Sequence, residues 1–136
     1  MPPKNSPVRR VLVVDDEPLI RWSLAETFAD MGHVAVEAGD GASALQALNA
    51  GDPFDAIVLD YRLPDSNDLN LLASIRQRAP QTPVIMMTAF GTLEVTSGAI
   101  TLGAYRVVSK PFEMHDMAAL VVQACQSPTP EQGQFD

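Results

Sequence analysis

Short apolar runs alternate along the chain with longer segments in which apolar residues recur every three or four positions. The short runs predict β-strands that are covered on both faces, as in a parallel sheet, and the recurring segments predict amphipathic helices. The predicted strands are residues 11–14, 34–36, 56–59, 83–87 and 105–108.

Residues that favour helix ends mark the boundaries of the segments between the strands. Pro18 suits the first turn of a helix, and Asp40 and Thr92 can cap two further helices. Gly32 and Gly103 each follow the last apolar position of a helix. Because strand and helix alternate five times and right-handed crossovers join parallel strands, the sequence predicts an α/β fold. We expect a flavodoxin-like (βα)5 three-layer sandwich with a five-stranded parallel sheet in the order 2-1-3-4-5.

The 136 residues are enough for one domain with a substantial core. Prolines and polar residues predict a flexible lead-in at residues 1–8 and a flexible tail, or the start of a linker, at residues 126–136. The folded domain is therefore expected to occupy residues 9–125.

The net charge of the chain is −8, from 17 acidic and 9 basic residues. Such a surface repels phosphate backbones and anionic lipids, so we expect this domain to bind neither nucleic acid nor membranes. The sequence contains no apolar run long enough to span a membrane and no signal-peptide core, and Cys125 is its only cysteine. These features predict a cytoplasmic protein without an internal disulfide.

Polar side chains stand at the carboxyl ends of four predicted strands. Asp15 and Asp16 follow the first strand, Asp60 the third, Thr88 the fourth, and Lys110 follows the fifth closely. Ligands of open α/β sheets bind at this edge, and the predicted order places the first and third strands side by side. Three carboxylates in one place repel one another unless a cation neutralises them, and Mg²⁺ is the usual choice in cells.

A metal ion, a lysine and a hydroxyl group together can hold the oxygens of a phosphoryl group. Asp60 would then be the nucleophile that forms an aspartyl phosphate. Each residue alone has an ordinary structural explanation, since acidic residues complement a helix dipole and aspartate often begins a turn. Their joint placement at neighbouring strand ends is what indicates function.

Four motifs occupy these strand ends: VLVVDDE at residues 11–17, Leu59-Asp60 with Pro64, Thr88-Ala89, and Lys110-Pro111-Phe112. Together they resemble the motifs of bacterial response-regulator receiver domains, and the resemblance covers residues 9–125. It implies a two-component phosphorelay in which Asp60 accepts a phosphoryl group from a phosphohistidine on a sensor histidine kinase. Such a receiver is a signalling module that catalyses its own phosphorylation and dephosphorylation, not an enzyme acting on other substrates.

The resemblance also implies a role for each site residue. Asp16 and Asp60 would bind Mg²⁺ directly, Asp15 would act mainly through water, and the backbone carbonyl of Arg62 would be a further ligand. Thr88 would donate a hydrogen bond to the phosphoryl group. Lys110 would pair with that group, and the Lys110–Pro111 peptide bond would be cis.

The segments Ile20-Arg21-Trp22 and 60–64 resemble receivers of the nitrogen-regulator kind, which precede sigma-54 activator ATPases. This resemblance implies an output domain or downstream partner in transcription regulation. Control would pass through the surface formed by the fourth helix, fifth strand and fifth helix, which could also form a homodimer.

The chain departs from the family pattern at two places. Val107 stands where receivers carry a tyrosine or phenylalanine, and Tyr105 is expected on the same strand face two residues earlier. Asn67-Asp68 replaces the usual Asp-Gly, which suggests an altered turn into the third helix. We therefore expect intact phosphorylation chemistry with an atypical output switch.

Two other functions are compatible with parts of the pattern. A metal-dependent phosphatase could use an aspartyl-phosphate intermediate, but it would usually carry an acidic residue where this chain has Arg62. A flavin-binding domain could share the fold, but the acidic edge disfavours a flavin phosphate.

Overall fold

The computed structural model describes residues 7–66, 69–89 and 91–127. The expectations for most of the lead-in and tail and for Asn67-Asp68 lie outside these residues. The proposed domain limits stay predictions.

Within the described residues, five strands and five helices alternate, and all five strands pair in parallel. The strand order is β2-β1-β3-β4-β5, which confirms the predicted flavodoxin-like sandwich. No helix in the described part of the chain has the length and apolar character needed to cross a membrane. The elements are β1 Arg10–Val14, α1 Pro18–Asp30, β2 Val34–Ala38, α2 Gly41–Asn49, β3 Ala56–Asp60, α3 Asn70–Arg78, β4 Val84–Thr88, α4 Leu93–Thr101, β5 Arg106–Ser109 and α5 Met114–Gln126.

The burial of each strand follows from its place in the sheet. All residues of the central strands β3 and β4 are buried, whereas the edge strands β2 and β5 are partly exposed. Neighbouring residues on a strand point to opposite faces, so Ile57 and Val58 enter different core clusters. We call the face covered by α2, α3 and α4 face A, and the face covered by α1 and α5 face B. Burying a side chain such as Ile57 on either face contributes about 1.5–3 kcal/mol to folding.

The placement of Tyr105 corrects one sequence-based expectation. Tyr105 and Val107 were expected on the same strand face, but Val107 packs on face A and Tyr105 packs on face B. The reason is that β5 begins at Arg106, so the alternation of side chains does not extend back to Tyr105. The buried Tyr105 therefore does not stand in for the aromatic residue that position 107 lacks.

Helix caps agree with the sequence. Asp40 accepts a hydrogen bond from Ser43 N (2.7 Å) and caps α2, and Thr92 accepts one from Val95 N (3.2 Å) and caps α4. Each such cap contributes about 1 kcal/mol because it satisfies a backbone N–H group that has no partner within the helix.

The far end of the sheet, away from the predicted site, contains the cysteine. Cys125 lies on α5, half-buried on face B, with its Sγ 3.6 Å from the carbonyl oxygen of Asp55. Burial raises the pKa of this thiol to about 11. Asp55 also accepts a hydrogen bond from Arg10 N (2.8 Å) at the start of β1.

Two glycines after helices offer a matched test of local packing. Gly51 and Gly103 both have positive φ (109° and 100°), so alanine would be strained at either position. A Cβ at Gly103 would lie 2.8 Å from Nε of Arg76, whereas one at Gly51 would meet nothing within 4 Å. Arg76 donates hydrogen bonds to the carbonyls of Thr82 and Pro80, and moving it would weaken them. Gly103→Ala is therefore expected to destabilise the fold by about 1 kcal/mol more than Gly51→Ala.

Urea denaturation of the two variants measures this difference. Equal losses of stability would show that Arg76 moves aside without cost.

Candidate functional site at the carboxyl edge of the sheet

The polar residues singled out in the sequence meet at the carboxyl edge of the sheet. Asp60 and Thr88 are the last residues of β3 and β4, Asp15 directly follows β1, and Lys110 directly follows β5. The strand pairing brings these ends together, since Val14 pairs with Leu59 and Asp60 with Met87. The sequence-predicted set thus gathers on adjacent strands.

Lys110 is the centre of this arrangement. Its Nζ lies 2.9 Å from Oδ2 of Asp15 and 3.1 Å from Oδ2 of Asp60, and the lysine side chain is only 11% exposed. The exposed carboxylate of Glu17 is a third neighbour at 3.4 Å. Burial disfavours the charged ammonium, but the hydrogen bonds to Asp15 and Asp60 outweigh this effect, so the pKa of Lys110 is raised above its ordinary value.

The surroundings of Asp60 disfavour its ionised form. Burial, together with the nearby charge of Asp15, raises the pKa of Asp60 to about 6, although the hydrogen bond from Lys110 opposes the increase. At neutral pH this carboxylate is thus ionised at an energetic cost. A further positive charge beside it would relieve that cost.

The carboxylates fit a divalent cation. Asp15, Asp16 and Asp60 each offer an oxygen, and these oxygens lie within 4.8 Å of one another. Asp15 and Asp60 are buried, and Asp16 is exposed on the solvent side. Three carboxylate oxygens beside a single lysine are a donor set that suits a hard ion such as Mg²⁺.

Thr88 and Arg62 lie beside this cluster. Thr88 is buried at the end of β4, and its carbonyl accepts a hydrogen bond from Lys110 N (2.8 Å), which ties the ends of β4 and β5 together. The Lys110–Pro111 peptide bond is cis, as the family resemblance implied. Arg62 is exposed, and its backbone N–H donates to Oδ1 of Asp60 at 3.3 Å. The role of the Arg62 carbonyl as a metal ligand stays a prediction.

Two residues that orient Asp15 were not identified from the sequence. The backbone N–H of Glu17 donates to Oδ1 of Asp15 (2.8 Å), and Nη1 of Arg21 on α1 donates to the Asp15 carbonyl (2.8 Å). Nε of Arg21 also pairs with Glu37 on β2 (3.1 Å). The only sequence signal for Arg21 was its place in the Ile20-Arg21-Trp22 motif, which carries no information on what the side chain contacts.

Known proteins are similar to this chain in sequence and in fold. Residues 11–122 match the family described as response regulator receiver domain. The chain is 38% identical over 125 residues to the response regulator protein PilR of Pseudomonas aeruginosa, covering 90% of this chain and 27% of PilR. It is 40% identical over 114 residues to the DNA-binding transcriptional regulator NtrC of Escherichia coli, covering 84% of this chain and 24% of NtrC.

A solved structure agrees with the same grouping. The receiver domain of NtrX from Brucella abortus superposes with a TM-score of 0.77 at 36% identity, over 86% of this chain and 98% of that domain. The chain spans about a quarter of the length of PilR and NtrC.

Proposed function

The chain belongs to the response-regulator receiver family, and we propose from this membership that Asp60 accepts a phosphoryl group from a sensor histidine kinase. The observation that carries the proposal is the ammonium group of Lys110, which lies between the carboxylates of Asp15 and Asp60. A fixed positive charge beside the acceptor stabilises the negative charge of an incoming phosphoryl group. The protein would thus be a phosphorylation-dependent signalling module.

The transfer forms a bond between an Asp60 carboxylate oxygen and phosphorus, and it breaks the P–N bond of the donor phosphohistidine. The donor histidine leaves as imidazole and takes its proton from solvent. With its pKa at about 6, Asp60 is largely ionised at neutral pH and can act as the nucleophile. Mg²⁺ held by Asp15, Asp16, Asp60 and the Arg62 carbonyl would supply positive charge to the phosphoryl oxygens when bound.

Phosphorylation would redistribute the contacts of Lys110 and Thr88. The phosphoryl group adds about −1.5 to −2 charge at Asp60 and competes with the two carboxylates for the lysine ammonium. The Thr88 hydroxyl would donate a hydrogen bond to a phosphoryl oxygen. Because Thr88 is the last residue of β4 and Lys110 directly follows β5, a shift of either residue reaches the chain that leads into α4 and α5.

The signal would leave through the surface of α4, β5 and α5. Leu93 at the start of α4 is 82% exposed, and Ile100 on the same helix and Leu102 after it are also exposed. Large apolar side chains clustered on one element are typical of surfaces that bind a partner. Since Val107 has no aromatic ring to reorient, we infer that displacement of α4 itself carries the signal. The recipient would be an output domain, a downstream partner in transcription regulation, or a second copy of the chain.

A small phosphodonor such as acetyl phosphate tests the proposal on the wild-type chain. We expect a single phosphoryl adduct by intact mass, formed with Mg²⁺ and absent in EDTA. Reduction of the acyl phosphate with borohydride converts the modified aspartate to homoserine, and peptide mapping should place it at position 60. Modification at another carboxylate, or none, would contradict the proposal, and sustained release of phosphate from many ester molecules would indicate a phosphatase instead.

A further inference from the structure

Asp65 makes a contact that the proposed chemistry does not explain. It lies between β3 and α3, and its carboxylate accepts hydrogen bonds from the backbone of α2. Oδ1 is 2.8 Å from Gly41 N, and Oδ2 is 3.1 Å from Ala42 N. These are the first two residues of α2, so Asp65 caps a helix that begins 24 positions earlier in the chain.

The amino terminus of α2 therefore binds two carboxylates. Asp40, which directly precedes the helix, accepts from Ser43 N, and Asp65 accepts from Gly41 N and Ala42 N. Both aspartates satisfy N–H groups that lack partners inside the helix, and both favour the positive end of its dipole. Of these two aspartates, only Asp65 connects the amino terminus of α2 to a distant segment of the chain.

The close approach of Asp65 depends on a glycine. A Cβ at Gly41 would lie 3.1 Å from Oδ1 of Asp65 and 3.1 Å from Cδ2 of Leu71 on α3. Both distances are shorter than ordinary carbon contacts, so a side chain at Gly41 would push the loop or α3 away. The contact between Asp65 and α2 therefore depends on Gly41 as well as on the aspartate itself.

The loop that Asp65 holds directly follows Asp60, the proposed phosphoacceptor. On one side, Tyr61 N donates to the carbonyl of Met87 (2.8 Å) and extends the hydrogen bonding between β3 and β4. On the other side, Leu63 is buried, and it exchanges backbone hydrogen bonds with Ser66 at 2.7 and 3.2 Å. Arg62 lies between these two hydrogen-bonded residues. Its backbone carbonyl can therefore move only if the hydrogen bond of Tyr61 or those of Leu63 break.

We propose that Asp65 is a positioning residue for the cation site at Asp60. By holding the loop against α2, it keeps the Arg62 carbonyl where a metal ion bound by Asp60 can use it. The inference rests on the proposed function, because it takes that carbonyl as a ligand. A residue that orients a ligand without touching the metal commonly changes metal affinity by tenfold or more when it is removed.

If Asp65 only capped α2, its removal would change Mg²⁺ affinity no more than the removal of Asp40 does. Asp40 is therefore the matched control. Asp65→Ala and Asp40→Ala each remove one capping carboxylate from the same end of α2, so both should lower the thermal midpoint. Only Asp65→Ala releases the loop. Titration with MgCl₂ measures Mg²⁺ affinity without any phosphodonor. Binding is detected by calorimetry and by the increase in thermal midpoint.

We expect Asp65→Ala to weaken Mg²⁺ binding about tenfold and Asp40→Ala to leave it within about twofold of wild type. Asp65→Asn, which keeps the shape and one acceptor oxygen, should fall between wild type and Asp65→Ala and serves if the alanine variant does not fold. Wild-type affinity in both Asp65 variants, or equal weakening in Asp40→Ala, would overturn the inference while leaving the proposed function intact. Failure of the wild-type chain to bind Mg²⁺ or to form the adduct would overturn both.

Discussion

Replacement of Asp60 by asparagine is expected to abolish phosphoryl uptake from acetyl phosphate. The amide has nearly the shape of the carboxylate but is a far weaker nucleophile, so the fold should remain while the adduct disappears. Intact mass after incubation with Mg²⁺ and acetyl phosphate measures the result. Asp52→Asn is the control, because Asp52 is exposed and lies before β3, away from the carboxyl edge. Asp52→Asn should form the adduct as wild type does, and an adduct that persists in Asp60→Asn would place the acceptor elsewhere.

The same variant should be more stable than wild type when Mg²⁺ is absent. The pKa of Asp60 rises from 3.8 to about 6 in the folded chain, so between these values the folded state binds more protons than the unfolded state. Stability therefore falls as pH rises through this window, and above it the cost of the buried charge is fully present. Asparagine removes the buried charge, and with it both the desolvation cost and the repulsion by Asp15, with a gain of about 1–2 kcal/mol after allowance for solvent screening.

Thermal unfolding in EDTA checks this pH dependence. The advantage of Asp60→Asn should be present at about pH 8 and should largely disappear near pH 4, below the folded-state pKa. Added Mg²⁺ should raise the midpoint of wild type more than that of Asp60→Asn. An advantage that is independent of pH would mean that the substitution acts through packing and not through charge.

Replacement of Lys110 by methionine is expected to cause the largest loss of stability among these variants. Methionine keeps much of the apolar stem but leaves the buried Asp15 and Asp60 without their cation. Breaking a buried ion pair by removing one partner costs about 3–5 kcal/mol, and we expect about 3 kcal/mol here because Lys110 retains some exposure. Urea denaturation at neutral pH in EDTA measures the loss.

Both pH and metal should modulate this effect. Without the ammonium, the two carboxylates repel more strongly, so the penalty should shrink as pH falls and Asp60 takes up its proton. Mg²⁺ should restore part of the stability because it replaces the missing charge. Glu17→Gln is the contrasting variant, since its exposed carboxylate lies 3.4 Å from Lys110 and should contribute less than about 1 kcal/mol. Equal losses in the two variants would refute the central role of the buried pairs.

The site could be predicted from the sequence because its residues end strands. Asp15, Asp60 and Thr88 each follow an apolar run, and the alternation of strands and helices brings such ends to one edge of a parallel sheet. Sequence position alone was sufficient for these residues, since the backbone of the sheet places them.

Contacts made by side chains across the sequence could not be predicted in this way. Asp65 follows Pro64 in a turn, and no local pattern shows that its partners are Gly41 and Ala42. Tyr105 was placed on the wrong face because the apolar pattern begins one residue before β5 does. Where a contact depends on which residue begins a strand or on a partner in another element, spacing in the sequence carries too little information.

Cys125 gives this chain a natural reporter of motion in α5. Since its pKa is raised to about 11 and its Sγ lies 3.6 Å from the Asp55 carbonyl oxygen, we expect the thiol to react slowly while α5 is packed against the sheet. Separation of the last turn of α5 from the sheet would expose the half-buried thiol further, so the rate of alkylation is expected to rise with that opening. Because the sequence contains no second cysteine, every modified molecule records one event at one end of α5, a helix of the surface through which the signal is proposed to leave.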